Sequence, residues 1–396
     1  MIIYADNAAT TKISKTAAAV MIDCFQNFYG NPSSLYSLGQ KAKELLEKSR
    51  EEIAQVINAD PREIIFTSGG SESDNQAILS AANIGQKKGK KHIISTAFEH
   101  HAVLNTLNKL EKLGFEVTLL PVHSNGIVSV KELEAEIRDD TCLVTVMTVN
   151  NEIGTIQPIA EIGEVCRQHG VLFHTDAVQA VGHIPVDVKA QKIDMLSASA
   201  HKFHGPKGIG FLYAKKGILL SSLIEGGSQE RGKRAGTENV AEIAAMAAAL
   251  SESASNMETD KQRLTKVRDY LINGLSKIPH SALNGDAQQR IYSNVNFCFE
   301  GIEGESLLIL LDRKGISVSS GSACTSGSLD PSHVLLAIGR IHDVAHGSLR
   351  ISLEETATIA EADYIIESVN EVVTHLRSFS PVWRDLISGK KEFILP

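Results

Sequence analysis

Short apolar runs rich in β-branched residues alternate with amphipathic segments between about residues 60 and 215. Segments such as "ESDNQAILSAANIGQKKG" and "HAVLNTLNKLEKLG" carry the periodicity of helices that bury one face. Alternation of strands and helices at this spacing predicts an α/β fold in which helices cover a mostly parallel sheet. The predicted strands are "EIIFTS", "KHIIST", "FEVTLLPV", "CLVTVMTV", "VLFHTDA", "KIDMLSAS" and "IGFLYA".

The pattern changes after this region. Residues 236–280 have few helix breakers, and a second segment follows with strand, helix, strand and strand patterns in "IYSNVNFCFEG", "ESLLILLDRKG", "ISVS" and "HGSLRISL". We therefore predict a large domain over 14–258 and a smaller α+β domain built from 1–13 and 259–396. The last residues, "FSPVWRDLISGKKEFILP", are expected to form a docked or partly mobile tail.

Composition narrows the class of protein. The chain has 396 residues, 43% hydrophobic and 22% charged, which is typical of a soluble protein with two domains. A formal charge of −8 argues against nucleic acid as the main partner. Five cysteines without a C-x-x-C pair favour a reducing compartment. No signal-peptide pattern and no apolar run of ~18 residues occurs, so we expect a cytoplasmic protein without a membrane partner.

Residues that follow the strands are the first candidates for chemistry, because open α/β sheets bind ligands at the carboxyl ends of their strands. "TSGGSES" follows the first strand and opens a helix, where Gly70, Ser71 and the helix amides suit an anionic phosphate. This segment is neither G-x-G-x-x-G nor a Walker A loop, and an N-capped turn explains it equally well.

Two further strand ends carry charged side chains. Asp176 follows "VLFH", and Lys202 follows "DMLSAS" 26 residues later, one β-α-β crossover away. Asp176 suits a helix cap or a protonated ring nitrogen, and Lys202, between two histidines, suits a Schiff-base lysine. A phosphate cradle, a carboxylate and an amine on successive strands are the groups that pyridoxal 5′-phosphate requires.

A metal site is the other chemistry that these strand ends suggest. None of the candidate ligands shows the H-x-x-x-H spacing of a helical site, and fourteen histidines make chance clustering common. We therefore predict no catalytic metal. The candidate ligands weighed are His169, His174, His201, His204, Cys166 and Asp176.

Long motifs from residue 4 to beyond residue 350 resemble those of one known family. The chain is similar to cysteine desulfurases of the NifS/IscS type, which are pyridoxal-phosphate enzymes of fold type I in the class V aminotransferase group. The motifs are "YADNAATT", "NPSSLYSLGQ", "FTSGGSESDN", "FEHHAV", "VNNEIGTIQP", "HTDAVQAVG", "SASAHKFHGPKGIGFLY", "SSGSACTS" and "HGSLRISL".

The resemblance implies a large domain with a seven-stranded, mostly parallel sheet and a role for each matching residue. Lys202 would form the Schiff base, Asp176 would face the pyridine nitrogen, Gln179 the ring oxygen, and His100 would stack on the ring. The phosphate ligands would be Gly70, Ser71, Ser199, His201 and, from the neighbouring subunit, Thr237. Asn151, which also lies near the cofactor, Arg350 and Asn31 would bind the substrate, and Cys324, in a mobile loop of about residues 319–330, would carry the persulfide.

Ordinary structural explanations stay open for several of these residues. His100 is also expected as a helix-start histidine, Arg350 as an exposed strand arginine, and Asn151 as a turn residue. Three positions depart from the family pattern: Ala235 where serine is common, Glu354 where glycine is common, and Arg340 in a segment that is usually less charged.

The function that the resemblance implies is removal of sulfur from L-cysteine, giving L-alanine and a persulfide on Cys324. The sulfur would pass to an acceptor protein such as an iron–sulfur scaffold, and the enzyme would be a homodimer with shared active sites. The nearest alternative is another fold-type I enzyme, either a selenocysteine lyase or an aminotransferase. A second alternative, of a different class, is a cofactor-free sulfur carrier or scaffold that uses Cys324.

Overall fold

The computed structural model describes residues 2–321 and 331–396, and the bounds below refer to that part of the chain. The strands are β1 Ile3–Tyr4, β2 Ile64–Thr67, β3 His92–Thr96, β4 Glu116–Leu120, β5 Thr141–Thr145, β6 Leu172–Asp176, β7 Met195–Ser199, β8 Gly210–Ala214, β9 Ser281–Leu283, β10 Asn294–Phe299, β11 Ile316–Ser317 and β12 Ser348–Ser352.

The helices in the same ranges are α1 Lys15–Asn27, α2 Ser37–Val56, α3 Gly70–Lys87, α4 His101–Glu111, α5 Val130–Glu136, α6 Ile159–His169, α7 Gln229–Gly232, α8 Val240–Leu275, α9 Gly304–Arg313, α10 His333–Ala337, α11 His342–Ala345, α12 Ile359–Phe379 and α13 Pro381–Ile387. Short 3-10 turns cover Pro61–Glu63 and Ala200–Lys202. No helix in the described part of the chain has the length and apolar character needed to span a membrane.

Seven strands form the central sheet in the order β2-β8-β7-β6-β5-β3-β4. Strand β8 pairs antiparallel with both of its neighbours, and the other neighbouring pairs are parallel. The predicted seven-stranded, mostly parallel sheet is therefore confirmed, and each predicted apolar run forms one of its strands.

Alternating side chains divide the sheet between two apolar clusters, as the period of two along a strand requires. Ile93 and Leu143 pack on the side of α3 and α4, whereas their neighbours Ile94 and Val144 join the main core on the other side. Strand β4, at one edge of the sheet, is partly exposed. Burial on both faces explains why the inner strands have apolar runs in place of an alternating pattern.

A smaller group of elements lies beside this sheet. Strands β12, β10 and β9 form an antiparallel sheet in that order, and β1 near the start of the chain pairs in parallel with β11. Helix α8 packs against α1 and α2 and also against α12. The predicted boundary at residue 258 falls within α8, and we keep the domain division as a proposal.

The C-terminal tail is docked. Glu300 accepts hydrogen bonds from the amides of Ile394 and Leu395, and the His280 amide donates to the Pro396 carbonyl at 2.7 Å. The Phe393 ring stacks on the His280 ring with centroids 3.6 Å apart. The tail thus packs against the end of β10 and the turn before β9, in agreement with the docked alternative of the prediction.

Candidate active site

A cavity of about 220 Å³ lies where β6 and β7 end and α3 begins. This is the edge of the sheet at which the sequence predicted ligand binding. The cavity is lined by Ala8, Ala9, Gly70, Ser71, Asp74, His100, Met147, Asn151, Asp176, Val178, Gln179, Ser199, His201, Lys202 and Arg350.

Lys202 ends the 3-10 turn that follows β7. Its Nζ donates to the carbonyl oxygens of Ala8 and Ala9, both at 2.7 Å. Asp176 ends the adjacent strand β6 and pairs in register with Ser197 of β7. Neighbouring parallel strands therefore bring the amine and the carboxylate to one cavity, as their spacing of one crossover predicted.

Asp176 is buried and held by the backbone. Its Oδ1 accepts a hydrogen bond from the Val178 amide at 2.9 Å. Burial raises the pKa of Asp176, whereas His100, the Val178 amide and Lys202 favour its charged form. The carboxylate thus has a hydrogen-bond donor and the Lys202 cation nearby, which suit it to face a protonated ring nitrogen.

His100 is the N-cap of α4. Its Nδ1 accepts a hydrogen bond from the Ala102 amide at 3.1 Å, so Nε2 carries the proton of the neutral ring. Burial lowers the pKa of His100, and Asp176 acts in the opposite direction. The helix-start explanation and the cofactor explanation are compatible, because the capping ring also lines the cavity.

The cradle for an anion is built from glycines at the start of α3. No side chain caps this helix at Gly69. A Cβ on Gly70 would lie 2.6 Å from Cγ2 of Val178, so this position requires glycine. The first amides of any helix have no partner within it, so the start of α3, together with the Ser71 and Ser199 side chains, offers donors for a phosphate.

His201 completes this side of the cavity. Its Nδ1 lies 3.2 Å from the Thr10 hydroxyl, and burial, together with Lys202, lowers the pKa of His201 to about 4. The ring is therefore neutral at physiological pH. It can act as a hydrogen-bonding partner of a phosphate, and it adds no positive charge.

Arg350 of β12 reaches the cavity from the smaller sheet. Its side chain is 1% exposed, so the explanation as an exposed strand arginine is wrong. The Nη2 atom of Arg350 donates to Asp6 Oδ1 at 2.7 Å, and its Nη1 atom donates to the Asn151 carbonyl at 3.2 Å. Asp6 is a site residue that the sequence reasoning missed, although it lies within the quoted motif "YADNAATT".

The structure brings some other predicted residues to the cavity and leaves two outside it. Asn151 and Gln179 line it, and the Gln179 side chain donates to the Ala8 carbonyl at 2.9 Å. Asn31 is exposed and its side chain accepts from the Ser33 amide in its own turn. Thr237 is also exposed and does not line the cavity of this single chain.

Cys324 lies outside the described residues, but the chain before and after it contacts the site. Ser319 exchanges two backbone hydrogen bonds with Arg350. On the other side, the Ser332 hydroxyl donates to the buried carboxylate of Glu152, next to Asn151. The described residues on either side of Cys324 therefore contact Arg350, which is expected to bind the substrate, and Glu152, the neighbour of Asn151.

The structure also changes the set of potential metal ligands. Among the described residues, ligand atoms of Asp74, His100 and Asp176 lie within 4.8 Å of one another. This is not the group weighed from the sequence, since His174 binds Thr145 and Ser197, and His204 pairs with Glu355. The absence of a catalytic metal stays a prediction.

Two of the three departures from the family pattern have local explanations. Arg340 donates to Asn284 Oδ1 at 2.7 Å and to the Leu283 carbonyl at 2.9 Å, so it ties the segment after α10 to the end of β9. Ala235 is buried, with its amide bonded to the Ile224 carbonyl. Neither position removes a group from the cavity.

Known proteins resemble this chain over nearly its whole length. The family model described as "Aminotransferase class-V" matches residues 3–365. A protein of Clostridium botulinum (strain Hall) named cysteine desulfurase IscS is 50% identical over 393 residues, which cover 98% of this chain and 99% of the relative. A protein of Methanosarcina thermophila with the same name is 51% identical over 380 residues, covering 96% and 94%.

Solved structures agree with these sequence relatives. One titled "NIFS-LIKE PROTEIN" matches with a TM-score of 0.89 and 37% identity, covering 95% of this chain and 100% of the other. Another, titled "SspA in complex with cysteine", matches with a TM-score of 0.79 and 37% identity, covering 90% and 100%. The chain therefore belongs to the class-V aminotransferase family and, within it, to the cysteine desulfurases of the IscS and NifS-like type.

Proposed function

We propose that this cysteine desulfurase removes sulfur from L-cysteine with pyridoxal 5′-phosphate bound in the cavity, and that Cys324 receives the sulfur. One observation carries the proposal. The adjacent ends of β6 and β7 place Asp176 and Lys202 around the same cavity as Arg350. An amine for the aldehyde, an anion for the ring nitrogen and a cation for the substrate carboxylate are thereby combined.

The lining residues fit this cofactor. The donor set contains one lysine, one buried carboxylate held by an amide, and a glycine cradle that a Cβ would fill. When bound, pyridoxal 5′-phosphate supplies an electron sink for the carbon that loses its proton. The residues that would hold it are Lys202, Asp176, Gln179, His100, Asn151, Gly70, Ser71, Ser199 and His201.

The chain's own groups orient the substrate and move its protons. Arg350 binds the carboxylate of L-cysteine in its buried position, with the Asn151 side chain nearby. Lys202 Nζ accepts the Cα proton, and His100 exchanges protons near the cofactor ring through its Nε2 atom. The Cys324 thiolate attacks the substrate sulfur, so that an S–S bond forms and the C–S bond breaks with its electron pair left on Cβ. Protons then return to Cβ and Cα, and the carbon skeleton leaves as L-alanine.

We also propose a homodimer with shared active sites. Large apolar side chains are exposed on α1, before α2 and after β8, including Phe25, Tyr29, Leu35 and Leu219. Thr237 is exposed as well, although its family role is to bind phosphate. Burial of these side chains against a second copy would supply the driving force for pairing, and would place Thr237 at the neighbouring site.

Delivery of the sulfur and the cellular compartment are part of the same proposal. The persulfide would pass to an acceptor protein such as an iron–sulfur scaffold in the cytoplasm. The four described cysteines are buried, unpaired thiols, which is consistent with a reducing compartment.

The test compares three variants of the purified enzyme. Cys324→Ser should abolish sulfide release from L-cysteine and keep the visible absorbance of lysine-bound cofactor. Lys202→Ala should lose that absorbance, and the control Cys24→Ser should retain both properties. Normal sulfide release by Cys324→Ser would overturn the proposal.

A second measurement separates the desulfurase from an aminotransferase. L-Alanine formed per L-cysteine consumed should be one to one and should not depend on an added 2-oxo acid. An absolute requirement for the 2-oxo acid would favour the aminotransferase. A colourless protein whose spectrum does not change in Lys202→Ala would favour the cofactor-free carrier.

A further inference from the structure

Asp74 is a buried carboxyl group beside the cofactor-binding carboxylate, and the mechanism above does not use it. It lies in the second turn of α3, is 1% exposed and lines the cavity. One of its oxygens lies within 4.8 Å of a ligand atom of Asp176 and of His100. Two carboxyl groups thus share one buried site.

The immediate contacts of Asp74 give its charged form little support. Its Oδ1 has no hydrogen-bond partner within the described part of the chain. The Nε2 atom of His174 lies 3.7 Å from Oδ1, but burial lowers the pKa of His174 to about 3, so the ring carries no positive charge. The Ser197 hydroxyl is the hydrogen-bonding neighbour that favours the charged form.

Two other carboxyl groups lie near Asp74, and each disfavours its ionisation when charged: Asp176 at the end of β6 and Glu99 beyond β3. Burial raises the pKa of Glu99 to about 8, so at neutral pH Asp176 is the neighbour that carries negative charge. His100 and Lys202 face Asp176 and favour the charged form of that carboxylate.

Two carboxylates this close in a buried site cannot both ionise without a large penalty, and one of them retains a proton. Asp176 has the Val178 amide as a donor and the Lys202 cation nearby, whereas Asp74 has an oxygen without a hydrogen-bond partner among the described residues and a neutral histidine beside it. The negative charge is therefore more stable on Asp176, and the proton is more stable on Asp74.

We propose that Asp74 is a positioning residue that keeps its proton in the working enzyme, so that Asp176 is the single charged carboxylate facing the cofactor. This inference rests on the proposed function only in its last clause, because the protonation of Asp74 follows from the protein's own groups. Asp74→Asn, which preserves the shape and neutrality of the side chain, should therefore keep the cofactor bound.

Infrared spectroscopy of the holoenzyme tests the protonation state directly. At about pH 7, a protonated-carboxyl C=O band that shifts when aspartate is labelled with ¹³C should be present and should disappear in Asp74→Asn. Glu99→Gln is the matched control, since it removes a different buried carboxyl group that aspartate labelling does not affect. If the wild-type enzyme shows no protonated-carboxyl band that responds to aspartate labelling, the proposal is overturned, and no variant is needed for that conclusion.

The pH dependence of unfolding gives a second readout. A protonated Asp74 binds one more proton in the folded than in the unfolded state, so a rise in pH favours unfolding. The unfolding equilibrium constant of the wild-type holoenzyme, divided by that of Asp74→Asn, should rise about tenfold per pH unit from about pH 5 to the folded pKa of Asp74. A ratio that stays constant would show that Asp74 is ionised and would overturn the proposal.

The same samples separate this inference from the proposed function. Absence of the absorbance of lysine-bound cofactor in the wild-type enzyme would refute the proposed function and leave the infrared result on Asp74 standing. Presence of that absorbance together with an unchanged aspartate-sensitive carboxyl band in Asp74→Asn would refute the inference alone.

Discussion

Asp6 Oδ1 accepts a hydrogen bond from Arg350 Nη2 at 2.7 Å, so the arginine expected to bind the substrate already binds a carboxylate of its own chain. The pair connects the segment after β1 to β12, at a separation of 344 residues. A buried guanidinium without a partner would be costly, and Asp6 supplies that partner. The substrate carboxylate must therefore share Arg350 with Asp6 or displace it.

Asp6→Asn should strengthen binding of L-cysteine. Asparagine keeps an acceptor oxygen for Arg350 but removes the negative charge that competes with the substrate carboxylate. We expect the KM for L-cysteine to fall about threefold to tenfold, with a small change in kcat, from a change of ~1 kcal/mol. Steady-state kinetics measure this effect, and Asp139→Asn, in an exposed connection, is the control. An increase in KM would show instead that the Asp6 charge is needed to orient Arg350.

Gly70→Ala should weaken cofactor binding. Alanine ordinarily favours a helix, but here its Cβ would lie 2.6 Å from Val178 Cγ2, so the start of α3 or the segment after β6 has to shift. We expect a loss of cofactor affinity of at least about tenfold, corresponding to ~1.4 kcal/mol. Titration of the apoprotein with pyridoxal 5′-phosphate measures it.

A second substitution controls for this explanation. Val178→Ala removes the methyl group that the new Cβ would meet, so the double variant should regain most of the cofactor affinity. If the double variant binds no better than Gly70→Ala, the contact with Val178 does not explain the requirement for glycine.

Arg50→Met should destabilise the fold strongly. Arg50 donates from Nη1 and Nη2 to the two carboxylate oxygens of Glu230, each at 2.8 Å, and both side chains are buried. Glu230 also accepts from the Phe66 amide of β2. Loss of the arginine leaves a buried carboxylate without its cation, and we expect the free energy of unfolding to fall by about 3–5 kcal/mol.

Urea unfolding measures that change, and Lys48→Met is the control. Lys48 and Glu52 form an exposed pair 3.7 Å apart on the same helix, α2. Its loss should change the free energy of unfolding by less than about 0.5 kcal/mol. Equal effects of the two substitutions would contradict the importance given to burial.

The pair of His204 and Glu355 should make stability depend on pH. Their Nε2 and Oε1 atoms lie 2.8 Å apart. Burial acts to lower the pKa of His204 and to raise that of Glu355, but the hydrogen bond and charge of the partner outweigh it in both. The pKa of His204 is raised and that of Glu355 is lowered.

The sign follows from these directions. The His204 contribution is full below its unfolded pKa of about 6.5 and is lost as pH rises through the raised folded pKa. The Glu355 contribution is full above its unfolded pKa of about 4.3 and is lost as pH falls through the lowered folded pKa. The pair should therefore stabilise most between about pH 4.5 and about pH 6.5.

Comparison with Glu355→Gln isolates this pair. The difference in the free energy of unfolding between the wild-type protein and the variant should be largest near pH ~6 and should shrink above pH ~7. Urea unfolding across this range provides the measurement. A difference that stays the same from about pH 6 to about pH 9 would show that His204 does not titrate in this range.

The fold followed from the sequence because its strands are buried on both faces. In β2, for example, Ile64 and Phe66 join the main apolar cluster and Ile65 joins the cluster on the other face, so consecutive positions along the strand are apolar. The positions of Asp176 and Lys202 followed for the same reason, since a residue at the end of a parallel strand must face the common edge of the sheet.

Residues within helices and loops were harder to place. Asp74 lies in the helix predicted after "TSGGSES", where periodicity indicates a buried face but not which side chain meets the end of β6. The partnership of Asp6 with Arg350 depends on long-range pairing that no local pattern reports. Thr237 and Asn31 lie outside the cavity of the single chain. In the proposed homodimer, a second copy of the chain would lie beside them.

Helix α8 has a consequence for how the site is assembled. It extends for 36 residues, or about 54 Å at 1.5 Å per residue. The helix packs with α1 and α2 and also with α12, so a rotation between these helices would have to break or bend a continuous helix. Lys202 follows a strand of the large sheet and Arg350 lies in a strand of the smaller sheet, so this helix opposes a rotation that would separate the amine from the guanidinium.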